Sequence, residues 1–374
     1  MHFLYNVPGW DAALVPGLPQ PVLAVDRGDM LVHAAQVNPA AFTMLRHCDD
    51  SLQVFSSTWE GSVELAQRWW ASFVDRTFKE KYAPYVKAVK GYNETLANSQ
   101  NAQEKYERYL MERALAYVWN TEYRVQPEYE HIRPILASAA VGNDIPEDIA
   151  LLSQEFDTLL SYHAYMYWDN KERPDWEMIN LTGRWVIMEE DYVAAKPTWV
   201  FTEGGPFESS VTGWRSEKCL DGDIDMYVEA MRTQFREIKA TQAWQDGRVI
   251  GPPVWFTTGG GDEWKEFFTN EYELNLLGQM LAEEWEESPS EIPSDDKIEI
   301  WQRSIEKQIS DGLSLNPDAA LQKEIFARDM VPVMSEWNDE EIGYIYQAAE
   351  HLGTGERLVF VWLNGKVEIV EKPD

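Results

Sequence analysis

The chain is short of basic residues and of cysteine, and both shortages narrow what it can do. Its 374 residues hold 32 lysines and arginines against 64 aspartates and glutamates, a formal net charge of −32. A surface this acidic repels nucleic-acid phosphates and anionic lipid headgroups, so neither nucleic acid nor a membrane is an expected partner. Two cysteines, Cys48 and Cys219, provide no disulfide framework and no zinc signature. The sequence leaves open whether they form one bridge.

Other signals are also missing. No apolar run reaches the roughly 18 residues that a membrane-spanning helix needs, and the first residues, MHFLYNVPGW, lack the basic and apolar regions of a secretion leader. We therefore expect a cytoplasmic protein, or a secreted one whose leader has been removed. No His-x-x-x-His pair and no calcium-loop pattern occurs, so we expect neither a metal nor another cofactor.

Aromatic residues, in contrast, are abundant. The chain contains 17 tryptophans, 17 tyrosines and 14 phenylalanines. Most belong in a core of this size, but a surplus also suits ligand sites built from flat faces. The apolar face of a sugar ring stacks well on an aromatic ring, so a carbohydrate is a plausible partner.

Short β-rich runs alternate with helical stretches over the first 285 residues. The eight runs are His2–Asn6, Pro21–Asp26, Phe42–His47, Val86–Glu94, Pro134–Asn143, Leu160–Trp168, Thr198–Gly204 and Pro253–Thr258. Such alternation predicts a parallel sheet covered by helices, and eight units match a (β/α)₈ barrel. An open doubly wound sheet is the alternative, but it would want a glycine-rich phosphate loop after the first run, where NVPGWD stands.

The character of the chain changes after residue 285. An acidic, proline-containing stretch, EEWEESPSEIPSDD, precedes further helical segments and two alternating runs separated by Asn364-Gly365, a strong hairpin signal. We predict a catalytic barrel over residues 1–285, and an acidic linker with a small α+β domain over residues 286–374.

Two of the predicted strands end in glutamates. The fourth ends in Gly-Tyr-Asn-Glu with Glu94, and the seventh in Phe-Thr-Glu-Gly-Gly with Glu203. Active sites of (β/α)₈ barrels lie at the carboxyl ends of the strands, so both carboxylates should face one cleft. A retaining glycosidase needs such a pair, and the acid of the pair should have a raised pKa beside its partner. Glu122, in Trp-Asn-Thr-Glu, is a rival acid near a predicted helix end.

With Asn93 before Glu94 on the fourth strand and Glu203 on the seventh, the sequence resembles the clan A glycoside hydrolases, a group of retaining (β/α)₈ enzymes. The resemblance covers about residues 1–285 as a pattern and identifies no single family. It implies that Glu94 is the acid/base, that Asn93 binds the substrate 2-hydroxyl, and that Glu203 is the nucleophile.

Further residues extend the resemblance. His163 and Tyr165 form a His-x-Tyr on the sixth strand, where Tyr165 would donate to the nucleophile and His163 would orient the acid/base or bind sugar. Trp255 on the eighth strand is similar to the aromatic floor of the clan. Arg46 at the end of the third strand would keep the nucleophile ionised. Trp168, in a strand-to-helix loop, is a candidate stacking platform.

Structural alternatives stay open for several of these residues. His163 could be a hydrogen-bonded core histidine and Trp255 a packing residue, and Arg46 could pair with Asp26 or Asp49. For the whole chain, we expect a retaining O-glycoside hydrolase that cleaves a β-linked poly- or oligosaccharide. The alternatives are a carbohydrate-binding barrel without catalysis and a cell-wall-glycan interaction protein. The sugar, the linkage, endo or exo action and the oligomeric state are not determined by the sequence.

Overall fold

The computed structural model divides the chain into two compact units, Met1–Ser290 and Glu291–Asp374, and each is treated separately. The assignment of a catalytic barrel to one and a small α+β domain to the other stays a prediction. The structure describes residues 2–3, 10–47, 52–168, 181–209, 212–255, 262–267, 269–286, 357–361 and 367–371.

The first unit contains a sheet whose strand order follows the chain order. Its strands are β1 (His2–Phe3), β2 (Pro21–Val25), β3 (Phe42–Arg46), β4 (Ala88–Lys90), β5 (Arg133–Ala139), β6 (Leu159–Tyr167), β7 (Thr198–Ser209) and β8 (Thr212–Gly213). Strands β1 to β7 run parallel, and the two-residue β8 pairs antiparallel with the end of β7. The predicted α/β fold with a mostly parallel sheet is confirmed.

Helices connect the strands. They are α1 (Gly28–Val37), α2 (Trp59–Phe73), α3 (Ala102–Val118), α4 (Glu147–Glu155), α5 (Arg184–Asp191), α6 (Ile224–Lys239), α7 (Gln242–Gln245) and α8 (Glu271–Glu286). Their starts follow local rules. At α3, Asn101 accepts from the backbone N–H of Glu104, whose carboxylate accepts from the N–H of Asn101, a reciprocal cap that satisfies two otherwise unpaired donors.

The sheet curls rather than lying flat. Strands β2 and β7 approach within 8 Å between Cα atoms, although five strand spacings of about 4.8 Å would separate them by roughly 24 Å in a flat sheet. The segment 249–255, which holds the start of the predicted eighth strand, continues the curl. Val249 and Trp255 bridge to β7 in parallel. A Cβ on Gly251 would lie 2.9 Å from Pro21 Cδ, so this segment also touches the start of β2.

Alternate residues of the strands share the concave side of the curled sheet. An apolar layer with no solvent exposure is formed by Leu23, Met44, Ala88, Ile135, Leu159, Val200 and Val254. Because side chains on one face of a strand repeat every two residues, the next positions along the chain lie directly above this layer. They include Arg46, Lys90, Ser161 and Thr202. The dry lower layer thus carries a polar layer on top.

Some predicted features can be placed and others cannot. Cys219 is a buried free thiol, and burial raises its pKa to about 12. In the second unit, β9 (Arg357–Val361) and β10 (Val367–Glu371) pair antiparallel. Cys48, the acidic linker and the Asn364-Gly365 turn lie outside the described residues. Among the helices of the described part, none is both long and apolar enough to cross a membrane.

Candidate active site

Glu203 reaches the concave side because β7 is irregular at this point. Against β6, Ser161 pairs with Val200 but His163 pairs with Glu203, so β7 spends three residues where β6 spends two. The extra residue is a β-bulge, which re-aims the side chains that follow it. As a result, Thr202 and Glu203 both direct side-chain oxygens to the polar layer, although neighbours in a regular strand point to opposite faces.

The Glu203 carboxylate is 8% exposed and lies among donors from three strands. Arg46 Nη1 donates to Oε1 at 2.9 Å, and the ammonium of Lys90 lies 3.8 Å from the same oxygen. Tyr165 OH donates to Oε2 at 2.9 Å. Burial and the charge of Glu203 raise the pKa of Tyr165 well above its ordinary value, so its hydroxyl keeps its proton. Two positive charges therefore compensate a nearly buried carboxylate.

Glu94 stands four residues beyond the end of β4, in a strained backbone conformation. Its φ is +49°, a left-handed value that non-glycine residues adopt at some cost. The preceding Asn93 is held at both ends, since its N–H donates to Gln53 Oε1 at 3.2 Å and its Oδ1 accepts from Lys90 Nζ at 2.7 Å. With the backbone anchored in this way, the Glu94 carboxylate faces the cleft with 46% of its side chain exposed.

The two carboxylates lie close together, with His163 between them. One oxygen of Glu94, one oxygen of Glu203 and a ring nitrogen of His163 all lie within 4.8 Å of one another. Retaining glycosidases place their two carboxyl groups about 5–5.5 Å apart, whereas inverting enzymes separate them by about 6.5–9.5 Å to admit a water. The oxygen–oxygen distance of at most 4.8 Å is nearer to the first of these ranges than to the second.

His163 is fully buried and contacts both carboxylates directly. Its Nδ1 lies 2.9 Å from Glu94 Oε1 and 3.5 Å from Glu203 Oε2. This hydrogen bond is the largest influence on Glu94 and lowers the pKa of its carboxyl below the ordinary value, against burial and the charge of Glu203, which both raise it. The expectation that this acid has a raised pKa in the free protein is therefore wrong, because His163 stabilises the ionised form.

The sequence left Asp26 and Asp49 open as partners of Arg46. In the structure Asp26 lies close to His47, with 2.7 Å between His47 Nδ1 and Asp26 Oδ1. Asp49 lies outside the described residues. The described contact of Arg46 with Glu203 spans two strands that are distant in sequence, and it is of the kind that favours an ionised carboxylate.

Two predicted sugar-binding tryptophans make packing contacts in the structure. Trp255 is 3% exposed, and its Nε1 donates to Gln234 Oε1 on α6 at 3.1 Å, so its ring packs between sheet and helices. Trp168 directly follows β6, where its N–H donates to Phe207 O at 2.8 Å and its half-buried ring packs against the same core. Their roles in sugar binding stay predictions.

The rival acid, Glu122, lies near the amino-terminal ends of the strands, opposite the ends that lead to Glu94. It lies just beyond the end of α3, which runs back from the carboxyl end of β4 towards the start of β5. Its exposed carboxylate accepts from Gln67 Nε2 at 2.6 Å. Glu122 is thus placed away from the cleft that holds Glu94.

Sequence reasoning missed Lys90, a fully buried lysine in the polar layer. A signal was present, because Lys87 and Lys90 fall on opposite faces of one short apolar run, so one of them has to point inward. Thr202 was also missed. Regular alternation places Thr202 and Glu203 on opposite faces of the strand, and only the bulge brings both to one side. No sequence pattern indicated that Glu112, on α3, would be a buried carboxylate.

By distance alone, Glu94, His163 and Glu203 could hold a cation. The charges around them argue against it. Arg46 and Lys90 already place two positive charges beside Glu203, and a divalent cation would have to share the space with both. The donors and acceptors fit a hydrogen-bonded acid pair better than a metal centre.

Comparisons with known proteins add little to this geometry. No protein-family profile and no curated protein matches the chain. Among solved structures, it is similar to a GH5 xyloglucan-specific endo-β-1,4-glucanase from a metagenomic library, in complex with cellotriose, with 13% identity, a TM-score of 0.43, and coverage of 69% of this chain and 83% of that one. A β-1,3-glucanase and pollen allergen of Cryptomeria japonica is similar at 14% identity and a TM-score of 0.38, covering 68% and 93%.

Proposed function

We propose that the chain is a retaining O-glycoside hydrolase that cleaves a β-linked poly- or oligosaccharide by double displacement. The observation that carries the proposal is the spacing of the acidic pair, with oxygens of Glu94 and Glu203 within 4.8 Å of each other. That separation is nearer to the short spacing of retaining enzymes than to the longer spacing of inverting ones, and it suits direct attack by one carboxylate on the anomeric carbon.

The different surroundings of the two carboxylates support different roles for them. Glu203 is nearly buried and accepts hydrogen bonds from Arg46 and from the Tyr165 hydroxyl. These contacts suit a nucleophile that has to be ionised and fixed in place. Glu94 is about half exposed and can exchange protons with water, as an acid/base must in the second half of the reaction.

These positions support a reaction in two displacements. Glu94 protonates the glycosidic oxygen while Glu203 attacks the anomeric carbon, so the leaving sugar departs with the proton and a glycosyl ester forms on Glu203. Glu94, now a carboxylate, takes a proton from water. The water attacks the same carbon and releases Glu203. Two inversions give net retention of configuration. No cofactor enters this sequence.

The fold and the substrate contacts belong to the same proposal. We take the curled sheet as a closed (β/α)₈ barrel of the clan A type with segment 249–255 in its eighth strand, supported by the contact of Gly251 with Pro21. Asn93 is the proposed ligand of the substrate 2-hydroxyl. Trp168 and Trp255 remain candidates for sugar binding, and residues 286–374 for a linker and small appended domain.

The experiment is an activity screen with matched variants. The full chain is assayed on β-linked polysaccharides and on aryl β-glycosides, beside Glu203→Gln, Glu94→Gln and Glu122→Gln. The last variant is the control, since Glu122 is also a glutamate that accepts one side-chain hydrogen bond but lies away from the cleft. We expect turnover by the wild type and the control, and its loss in the other two.

Two further measurements examine the mechanism. NMR of the first-formed product should show the β-anomer, and a 2-deoxy-2-fluoro glycoside should label the peptide that contains Glu203. An inverted product, a label on another residue, or full activity of Glu203→Gln would contradict the proposal. Binding of a glycan by the wild type without turnover would favour the carbohydrate-binding alternative.

A further inference from the structure

Lys90 is a charged group in an unusual place. It ends β4 in the polar layer and has no solvent exposure. A buried ammonium is costly unless its N–H groups are all satisfied. Three acceptors surround Nζ, as Asn93 Oδ1 lies at 2.7 Å, Thr202 Oγ1 at 3.1 Å and His163 Nε2 at 3.3 Å. Each N–H of the ammonium thus has an acceptor within reach.

The contact with His163 decides how that ring carries its proton. An ammonium can only donate, so the nitrogen that faces it, Nε2, has to accept with its lone pair. A neutral imidazole has a single N–H, which then resides on Nδ1. Nδ1 is the nitrogen that faces Glu94 Oε1 at 2.9 Å and Glu203 Oε2 at 3.5 Å. The ring is therefore oriented with its hydrogen towards the acidic pair.

The same ammonium also holds the bulge of β7. The Thr202 hydroxyl accepts from Lys90 on β4 and lies 2.5 Å from Ser161 Oγ on β6, so the bulge is tied to its neighbour β6 and to the more distant β4. The ammonium of Lys90 lies 3.8 Å from Glu203 Oε1, the oxygen that also accepts a hydrogen bond from Arg46. One side chain thereby contacts Asn93, His163, Thr202 and Glu203.

We propose that Lys90 is a positioning residue that holds His163 as the Nδ1–H tautomer, so that the histidine donates its proton to the carboxylate pair. Its role in turnover rests on the proposed hydrolase function. The tautomer of His163 is a property of the folded protein alone and can be measured whether or not a substrate is known. Failure of the two ideas can thus be told apart.

The first measurement is NMR of the full chain labelled with ¹⁵N-histidine, which distinguishes a protonated from an unprotonated ring nitrogen. The chain has six histidines, and the His163 signals are those lost in His163→Gln. In the wild type we expect a protonated Nδ1 and an unprotonated Nε2 for His163. A protonated Nε2 would overturn the proposal without any variant of Lys90, so the result does not depend on whether such variants fold.

The second measurement compares Lys90→Met with Lys87→Met. Both changes remove an ammonium from the same chain segment, but Lys87 donates to Ala40 O at 3.0 Å, at the opposite end of β4 from Glu94. We expect Lys90→Met to move His163 towards the Nε2–H tautomer and Lys87→Met to leave it unchanged. An unchanged tautomer in folded Lys90→Met would overturn the proposal.

For an active enzyme, the same pair of variants has a kinetic readout. Lys90→Met should lower kcat by on the order of ten- to a hundredfold with a smaller change in KM, because the loss arises at His163 and not at a sugar contact. Lys87→Met should keep both constants. Equal kcat values in Lys90→Met and the wild type would contradict the proposal, whereas a wild type inactive on every glycoside would contradict the hydrolase function alone.

Discussion

Thr202 and Glu203 are neighbours in β7, yet both approach the same ammonium. Lys90 Nζ lies 3.1 Å from Thr202 Oγ1 and 3.8 Å from Glu203 Oε1. Only the bulge between Val200 and Glu203 makes this arrangement possible. The position of the proposed nucleophile therefore depends on a local irregularity of the sheet, as well as on the residues that hold it.

Gly204 directly follows the bulge and has no room for a side chain, so Gly204→Ala should disturb the bulge. A Cβ there would lie 2.7 Å from Pro253 Cβ and 3.0 Å from Ala164 O. We expect a loss of about 1–3 kcal/mol in unfolding free energy from overpacking, together with reduced kcat. Urea unfolding and steady-state assays measure the two effects.

Gly247→Ala is the comparison for this change. Gly247 has a φ of +71° and nothing within 4 Å of the added Cβ, so it reports the backbone cost alone. It should lose about 1–2 kcal/mol and keep its kcat. Equal kcat values in the two variants would show that the packing at Gly204 does not align Glu203.

Removal of the proposed acid should depend on the leaving group. Glu94→Ala should reduce hydrolysis of unactivated glycans by about 10²–10⁴-fold, the range typical of general acid catalysis. The loss should be much smaller with a dinitrophenyl glycoside, whose leaving group departs without protonation. Rates on both substrates check this, and an equal loss on both would count against Glu94 as the acid.

His163 should control the pH range of activity. Its hydrogen bond lowers the pKa of Glu94, and a general acid has to be protonated, so the basic limb of the kcat/KM profile should lie on the acidic side of neutrality. In His163→Ala the donor is absent, the pKa of Glu94 rises, and this limb should move to higher pH.

His33→Ala is the control for that shift. His33 pairs with Asp11 at 3.0 Å on an exposed surface, so its loss removes a similar contact without touching the site. Its pH profile should match the wild type. A profile of His163→Ala whose basic limb stays in place would contradict the assigned role of the histidine.

Glu112 makes the stability of the fold depend on pH. This fully buried carboxylate accepts from Thr95 Oγ1 at 2.8 Å and from the backbone N–H of Ala137 at 2.9 Å, and burial raises its pKa from 4.5 to about 7. A raised carboxyl pKa means that the folded chain binds the proton more tightly. The contribution of Glu112 to the unfolding free energy is therefore greatest below pH 4.5 and declines as the pH rises to 7, by about 3 kcal/mol at 1.36 kcal/mol per pKa unit.

Glu112→Gln checks this slope. The amide cannot lose a proton, and its NH₂ group would face one of the two donors, so the variant should be less stable than the wild type at pH 5. The gap should narrow towards pH 8. Urea unfolding followed by near-ultraviolet circular dichroism at both pH values measures it, and parallel pH curves for the two proteins would contradict the buried titration.

Much of the fold was readable from local patterns. The predicted runs Phe42–His47 and Leu160–Trp168 correspond to β3, Phe42–Arg46, and β6, Leu159–Tyr167, because strands buried on both faces are continuously apolar. The run Val86–Glu94 was predicted too long. β4 spans only Ala88–Lys90, since the chain leaves the sheet before the left-handed Glu94.

The amino-acid sequence by itself determined the strand and helix alternation, and it singled out Glu94 and Glu203, because periodicity and polar residues after apolar runs are local properties. The predicted strand ends were wrong, since Glu94 lies four residues beyond β4 and Glu203 lies within β7. Tertiary structure alone decided the distance between the two carboxylates, the ammonium beneath them and the orientation of His163. Those depend on a bulge and on contacts such as Lys90 with Thr202, 112 residues apart in the chain, whose geometry no local pattern encodes.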